Sequence, residues 1–427
     1  MQVTTAPTLD SGTVGAIQRR IVLILAIAQV FGGVGVATGA AVGALLAADL
    51  SSDSFSGLAS AASVTGAALI AIPVSRLMDQ HGRRPGLMLA YAIGICGAFT
   101  TVIGASLGWF PLALLGLIGI GGGTTATLQS RYAATDLATP ERRGRALSTV
   151  VWATTLGSVL GPNLASPMGR FAGHVGVPAL AGPYLLTMCA LLVSGVIIAT
   201  FLRPDPLHVA RDVRHIKEGH SAMAPVERSM RTALETIAAS PGARNGLAAI
   251  VLGHAVMVAV MSMTPLHLRH ADEGLRVIGI VISLHIAGMY AFSPLVGIAV
   301  DRIGRRPVIT LGSLILLSAF LIAGTASGHQ APQLSIGLCL LGLGWSCTMI
   351  SGSTLLTDSV PIEQLPNVQG TADVMMGFGG ASAGLLAGLV VGIGSYAILA
   401  MVAACVILPL LFVTLLQPRV ATVQSPA

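Results

Sequence analysis

Charge is scarce in this chain. Of its 427 residues, 9% are Asp, Glu, Lys or Arg, where water-soluble domains carry about 25%. So little charge cannot clothe a water-facing surface, so the expected solvent is lipid; a hydrophobic content of 54% and a mean hydropathy of +0.83 agree. Lysine is reduced to Lys217. The net charge of +6 comes from short arginine clusters between apolar runs, with no interleaved aromatics, which argues against a nucleic-acid surface. The five cysteines (Cys96, Cys189, Cys339, Cys347, Cys405) sit inside apolar runs, and no pair has metal-ligand spacing. They read as small buried hydrophobes, with no metal site and no disulfide expected. The chain has no HExxH, GxSxG or Walker sequence, so enzyme chemistry, a bound cofactor and direct use of ATP are not expected. Residues 1–18 are polar and lack the basic, apolar and cleavage stretches of a signal peptide, so the apolar segment after Arg19 and Arg20 is expected to be retained.

Glycine, by contrast, is abundant, with 52 residues scattered among Leu, Ile and Val without a period. Small residues let helix backbones approach closely, which is how helices associate in a bilayer. Spanning the hydrocarbon takes about 20 apolar residues. Twelve segments qualify: 21–48, 56–76, 86–106, 110–134, 146–170, 180–202, 246–268, 276–299, 307–327, 333–357, 370–392 and 395–417. The expected fold is an all-α membrane protein of 12 transmembrane helices in two six-helix bundles. The expected parts are a tail at 1–18, a first bundle at 19–203, a polar central loop at 204–244, a second bundle at 245–418 and a tail at 419–427. Around Val226–Ala239 the loop has the pattern of a surface amphipathic helix. If the N-terminus is cytoplasmic, Arg19, Arg20, Arg83, Arg84, Arg142, Arg143, Arg145, Arg302, Arg305, Arg306 and Arg419 fall inside, against Arg170, Arg269 and Arg276 outside. The positive-inside rule then places both termini and the central loop in the cytoplasm, with the chain in the cell membrane.

The halves repeat. Asp79-Gln-His-Gly82-Arg83-Arg84-Pro returns as Asp301-Arg302-Ile-Gly304-Arg305-Arg306-Pro, a shift of 301 − 79 = 222, and Asp136 returns as Asp358 at the same interval. Duplicate bundles around a central path are the plan of many carriers. The second loop, Gly297-x-x-x-Asp301-Arg302-x-Gly304-Arg305-Arg306, resembles the signature loop of the major facilitator superfamily. The first copy is looser, with Ser75 for the leading Gly and Gln80 for Arg. The resemblance covers nearly the whole chain. It implies a conformational gate made of Asp79, Gly82, Arg83, Arg84, Asp136, Asp301, Arg302, Gly304, Arg305 and Arg306. It further implies that Asp79 docks on the N-terminal end of the eleventh span, where unpaired amides favour an anion, and that Arg83 pairs with Asp136. The bland alternative is a plain positive-inside anchor.

The fifth span contains Gly157-x-x-x-Gly161-Pro162-Asn163-x-Ala165-Ser166, with Ser148 where an earlier Gly would stand. It resembles, in part, the motif of the drug:proton antiporter branch. That resemblance implies that Gly157, Gly161 and a Pro162 kink press this span against the other half; ordinary small-residue packing is the alternative. An Arg in the outer half of the fourth span, usual in that branch, is missing here.

Ionisable residues at membrane depth mark function by default. Arg131 either snorkels to the cytoplasm or faces a central cavity. His254 and His285 either carry a coupling proton or are hydrogen-bonded neutral core residues. With Gln29, Gln129 and Asn163 they form the expected cavity set, while Asp373 reads as an N-cap of the eleventh span. A soft metal on His254, Met257 and Met261 is disfavoured, because Met at helical spacing is usually packing. The resulting expectation is a monomeric secondary transporter in contact with membrane lipids, driving proton-coupled efflux of small apolar or amphipathic molecules. Proton-coupled uptake of a small metabolite is the alternative, followed by a membrane sensor or membrane enzyme.

Overall fold

A computed structural model describes residues 11–51, 56–218, 229–269, 271 and 275–416. The first bundle comprises α1 (Ser11–Leu50), α2 (Ser56–His81), α3 (Arg83–Ser106), α4 (Phe110–Ala133), α5 (Arg143–His174) and α6 (Gly182–Phe201). Two short helices follow, α7 (Pro206–Glu218) and α8 (Met230–Ala239). The second bundle comprises α9 (Pro241–Arg269), α10 (Leu275–Tyr290), α11 (Ser293–Ile303), α12 (Arg305–Thr325), α13 (Ala331–Asp358), α14 (Leu365–Ile393) and α15 (Tyr396–Leu416). No strand occurs among the described residues.

Eleven described segments are long and apolar enough to cross a membrane. The fifth expected span is filled by α5, a continuous helix of 32 residues that is more polar than its neighbours, with Arg143, Arg145, Asn163 and Arg170 along it. The eighth expected span is two helices, α10 and α11, with a turn at Ala291–Phe292. Pro294 stands in the first turn of α11 and has no N–H with which to continue the ladder. The central loop holds one helix more than its pattern suggests. Its expected amphipathic helix is α8, capped by the Ser229 hydroxyl on the Thr232 amide; residues 226–228 lie outside the described set. α7 is the addition.

Each bundle has its own apolar interior. Leu25, Leu87, Leu191 and Ile198 centre the first, and Ile309, Leu316, Leu334 and Leu338 the second. Within the first, α3 and α4 touch backbone to backbone: a Cβ at Gly97 would lie 2.5 Å from the Ile120 nitrogen. The outer surface is oily, with Leu385 77% and Ile393 90% exposed, as a lipid-facing surface requires. Cysteine burial departs from expectation. Cys347 is buried, but Cys96, Cys189 and Cys405 lie exposed on that oily surface and all five are free. A thiol is apolar enough for a helix face that looks at lipid rather than at protein.

The bundles meet along two seams, α2 against α14 and α5 against α11. These are equivalent under the 222-residue repeat. A small apolar cluster of Leu147, Val151, Val296 and Val300 lies in the second.

Candidate functional site: a two-leaved gate and a buried ion pair

At one end of the bundle, hereafter called the gate face after the role the resemblance implies, both signature loops turn on glycine. Gly82 has φ 93°, ψ 175° and Gly304 φ 96°, ψ 165°, a region essentially closed to residues with a side chain. These turns start α3 and α12 abruptly. A Cβ at Gly82 would also lie 2.6 Å from the Asp205 carboxylate, whereas one at Gly304 would meet only Pro307, at 3.7 Å. Gly304→Ala is therefore expected to cost the strain alone, about 1–3 kcal/mol, and Gly82→Ala more. Thermal unfolding of the two variants in detergent, with the lower midpoint for Gly82→Ala, checks this.

Arg83 is wholly buried and grips Asp136 with two hydrogen bonds, Nε to Oδ2 and Nη2 to Oδ1, both 2.8 Å. Its Nη2 also donates to Gln369 Oε1 across the seam, at 2.7 Å. The repeat places Arg305 on Asp358, Nε to Oδ2 at 2.7 Å, with Arg143 of the other half joining the same carboxylate. Each gate arginine thus pairs with an aspartate of its own half, and the opposite half adds a polar group. A bidentate guanidinium–carboxylate pair fixes orientation as well as charge. Arg84 turns inward to the first bundle, donating to the Ala199 carbonyl at 2.6 Å. Arg302 is exposed at the end of α11.

The two loop aspartates behave differently. Asp301 accepts from the amides of Gly144 (2.8 Å) and Arg145 (3.0 Å), the first turn of α5 in the other half. This is the anion-on-helix-terminus latch expected for Asp79. Asp79 itself instead meets Arg211 of α7, which donates to Oδ1 at 2.8 Å and to the Asp79 carbonyl at 2.9 Å. Docking of Asp79 on the eleventh span is corrected accordingly, for a local reason. The positions of α14 equivalent to Gly144 and Arg145 are Pro366 and Asn367, and proline has no amide hydrogen to give.

The seams are tight and reciprocal. A Cβ at Gly297 would lie 2.0 Å from Ser148 Oγ, and one at Gly370 would lie 2.4 Å from Ser75 Oγ. Ser75 and Gly297 are repeat equivalents, as are Ser148 and Gly370. Each seam therefore pairs one serine with one glycine, in exchanged order. The two serines that depart from the signature motifs are matched by glycine across the seam. Gly157 and Gly161 do not press on the other half. Their Cβ positions would lie 2.4 Å from the Val30 oxygen and 2.8 Å from the Val34 oxygen, both of α1. The reason is that α5 crosses to the other half only over its first turns, and its remaining small face is taken by α1. The helix continues through position 162.

Deeper in the bundle, a second constellation bridges the halves. Arg131 Nη2 meets Asp373 Oδ1 at 2.5 Å, and Gln129 donates to Asp373 Oδ2 at 2.9 Å. Arg131 also donates to Tyr132 Oη at 3.1 Å and lies 3.0 Å from Met349 Sδ. Arg131 therefore faces inward and does not snorkel. Asp373 is not a cap, because it lies well inside α14, which starts at Leu365. Arg131 Nε and Gln129 Oε1 are buried without a hydrogen-bond partner.

The remaining candidates scatter. His254 Nδ1 is 3.1 Å from the Trp345 indole nitrogen, which donates to it, and its ring lies beside Gly380 of α14. His285 is buried within the second bundle, Nδ1 2.9 Å from the Leu338 carbonyl. Gln29 donates to Thr154 Oγ1 at 3.2 Å inside the first bundle. Asn163 is exposed and satisfies its amide on the Val159 carbonyl of its own helix. No group of three or more His, Cys, Asp or Glu able to hold a metal occurs among the described residues. Sequence reasoning missed Asp373 as a bridge, and also Asp205 and Arg211. The Pro204-Asp205-Pro206 triplet was a readable helix-start signal for α7.

A sequence model of the Major Facilitator Superfamily matches residues 23–276 and 270–427. Among curated relatives, the uncharacterized MFS-type transporter YdeG of Bacillus subtilis is 39% identical over 388 residues, covering 91% of this chain and 89% of that protein. The riboflavin transporter RfnT of Brucella anthropi is 26% identical, covering 84% and 85%. The class D tetracycline resistance protein of Salmonella ordonez is 31% identical over a shorter stretch, covering 35% and 37%. Of solved structures, the human organic anion transporter MFSD10 (TETRAN) superposes with a TM-score of 0.70 at 16% identity, covering 93% of this chain and 99% of that one.

Proposed function

The chain belongs to the major facilitator superfamily, and on that premise we propose that it is a proton-driven exporter of small apolar or amphipathic molecules. It works as a monomer in the cell membrane, with the gate face and both termini in the cytoplasm. The observation that carries the reading is the buried Arg131–Asp373 bridge between the halves. Alternating access requires the halves to part at membrane depth. Parting leaves a buried carboxylate and a buried guanidinium uncompensated, which is costly. A proton on Asp373 removes one of the two charges, and a polar group of the substrate covers Arg131. Proton and substrate thereby bias the same conformational equilibrium. This assigns the coupling proton to Asp373 and leaves His285 a packing role.

Export is supported by the partial antiporter motif of the fifth span and by the likeness to a tetracycline resistance protein. Proton-coupled uptake is the second reading. It is favoured by the likeness to a riboflavin transporter, which extends over far more of the chain.

Liposomes holding the purified chain test the proposal, with tetracycline and riboflavin as probes. Antiport accumulates the probe in acid-interior vesicles and symport in alkaline-interior ones. Asp373→Asn is expected to abolish probe-driven proton movement, with His285→Ala keeping it and Arg131→Ala losing probe transport. Native coupling in Asp373→Asn removes that residue from the mechanism; accumulation in alkaline-interior vesicles selects uptake.

A further inference from the structure

The asymmetry of the two gate leaves has a structural cause and a testable consequence. In the α5–α11 leaf, Asp301 is held by two backbone amides of the opposite half. In the α2–α14 leaf the equivalent helix start carries Pro366, so one of those amides does not exist. Here the chain brings the linker instead. Asp205 accepts from the amides of Arg83 (3.1 Å) and Arg84 (2.7 Å) and from that of Leu207 (3.0 Å), which pins the start of α7 beneath the Gly82 turn. From that anchor Arg211, two turns along α7, reaches Asp79. The second linker helix sits on the other side of the same leaf. Asn367 donates to the Ser229 carbonyl at 2.9 Å, and Thr236 bonds Gln364 just ahead of α14. Thus α7 is fastened to the α2–α3 turn and α8 to the start of α14. Described linker contacts of this kind fall on the α2–α14 leaf.

We propose that the linker is a third part of the gate, with Arg211 and Asp205 as positioning residues that supply to Asp79 the electrostatic hold that Pro366 removes from α14. In one leaf the loop aspartate is held by the facing bundle itself, through two amides and the Arg145 side chain. The other closes through a helix outside both bundles, so whatever displaces α7 loosens that leaf. The arrangement is independent of which solute the protein carries and of whether a proton drives it.

Spin-label distances on the full chain in liposomes, without substrate or gradient, provide the test. Gln80 with Pro361 reports the linker-held leaf, and the repeat-equivalent Thr139 with Arg302 the other; all four are exposed. The native protein is expected to show a short, narrow distribution for both pairs. Arg211→Ala is expected to raise the long-distance population several-fold, with Arg211→Lys retaining most of the native form. Pro366→Ala added to Arg211→Ala is expected to restore closure, since it returns an amide to the missing place. In an Asp79→Asn background the effect of Arg211→Ala should be much reduced, since only the bond to the backbone carbonyl of residue 79 is then left to lose. Thermal midpoints near native establish that the variants are folded. A native distribution in Arg211→Ala overturns the proposal, as does an undiminished effect of that change in the Asp79→Asn background. Absence of any restoration by Pro366→Ala overturns the role given to the proline. None of these outcomes bears on the flux experiment above, so the two readings fail separately.

Discussion

Gly297→Val is expected to hold the gate face apart while leaving both bundles folded. The Cβ alone would stand 2.0 Å from Ser148 Oγ and 2.6 Å from the Gly144 carbonyl oxygen. The hydroxyl can rotate, but the carbonyl belongs to the first turn of α5 and cannot yield. Overpacking of this kind costs about 1–3 kcal/mol. Here the strain has an outlet, because α5 and α11 belong to different halves that can rock apart. Converted to populations, that is roughly a 5- to 150-fold shift toward the gate-open form. The distance between labels at Thr139 and Arg302 reads it directly. Gly97→Val has no such outlet. Its Cβ would lie 2.5 Å from backbone atoms of α4 in the same bundle, so loss of folded protein is the expected result. Exchange of the seam pair, Gly297→Ser with Ser148→Gly, should recover only part of the native distribution, because it removes the Ser148 contact but leaves a Cβ 2.6 Å from the Gly144 carbonyl oxygen. An unaltered distance distribution in a well-folded Gly297→Val protein would show that the seam does not set the gate.

Arg83→Ala is expected to be the most damaging single change on the gate face. It strands Asp136, whose side chain is 0% exposed, without its hydrogen-bonded counter-charge, and it cuts the link to Gln369. Removing one partner of a fully buried pair costs about 3–5 kcal/mol. The double change Arg83→Leu with Asp136→Leu should recover much of the loss, since no charge is then left buried. Arg305→Ala, at the repeat position, should cost far less. Its pair with Asp358 is 16% and 21% exposed and Arg143 stays on the same carboxylate, so water and a second guanidinium meet the charge left behind and the loss should be smaller. Thermal unfolding of these three variants, together with the single changes Arg83→Leu and Asp136→Leu, in one detergent gives the coupling energy by a double-mutant cycle. Equal losses for Arg83→Ala and Arg305→Ala would contradict the assignment of unequal burial to unequal cost.

Much of the geometry of the two signature loops was legible in the sequence. Gly82, Arg83 and Asp136 recur 222 residues later as Gly304, Arg305 and Asp358, and a repeat forces equivalent residues onto equivalent structure. The errors share a form. Asp373 was read as a cap because a lone carboxylate near an expected helix start usually is one. The true start lay further back, at Leu365. Gly157 and Gly161 were expected to press on the other half, but the residues they pack against are in α1, and a helix face does not announce its partner. His254 and His285 drew attention as titratable residues, yet a nearby carbonyl and indole were already there to meet them.

What the amino-acid order determined by itself was what depends on local composition or on repetition: lipid as solvent, the approximate places of the oily segments, the glycine turns, and a twofold plan. Those properties follow from segments of about 20 residues or from comparing one half with the other. What only the tertiary structure decided was pairing across distance: Asp301 on the amides of α5, Asp79 on Arg211, Arg131 on Asp373, serine against glycine in each seam. Repetition predicts that two halves are alike, but an interface is made by unlike residues meeting. A single proline at 366 is enough to make two equivalent aspartates take different partners.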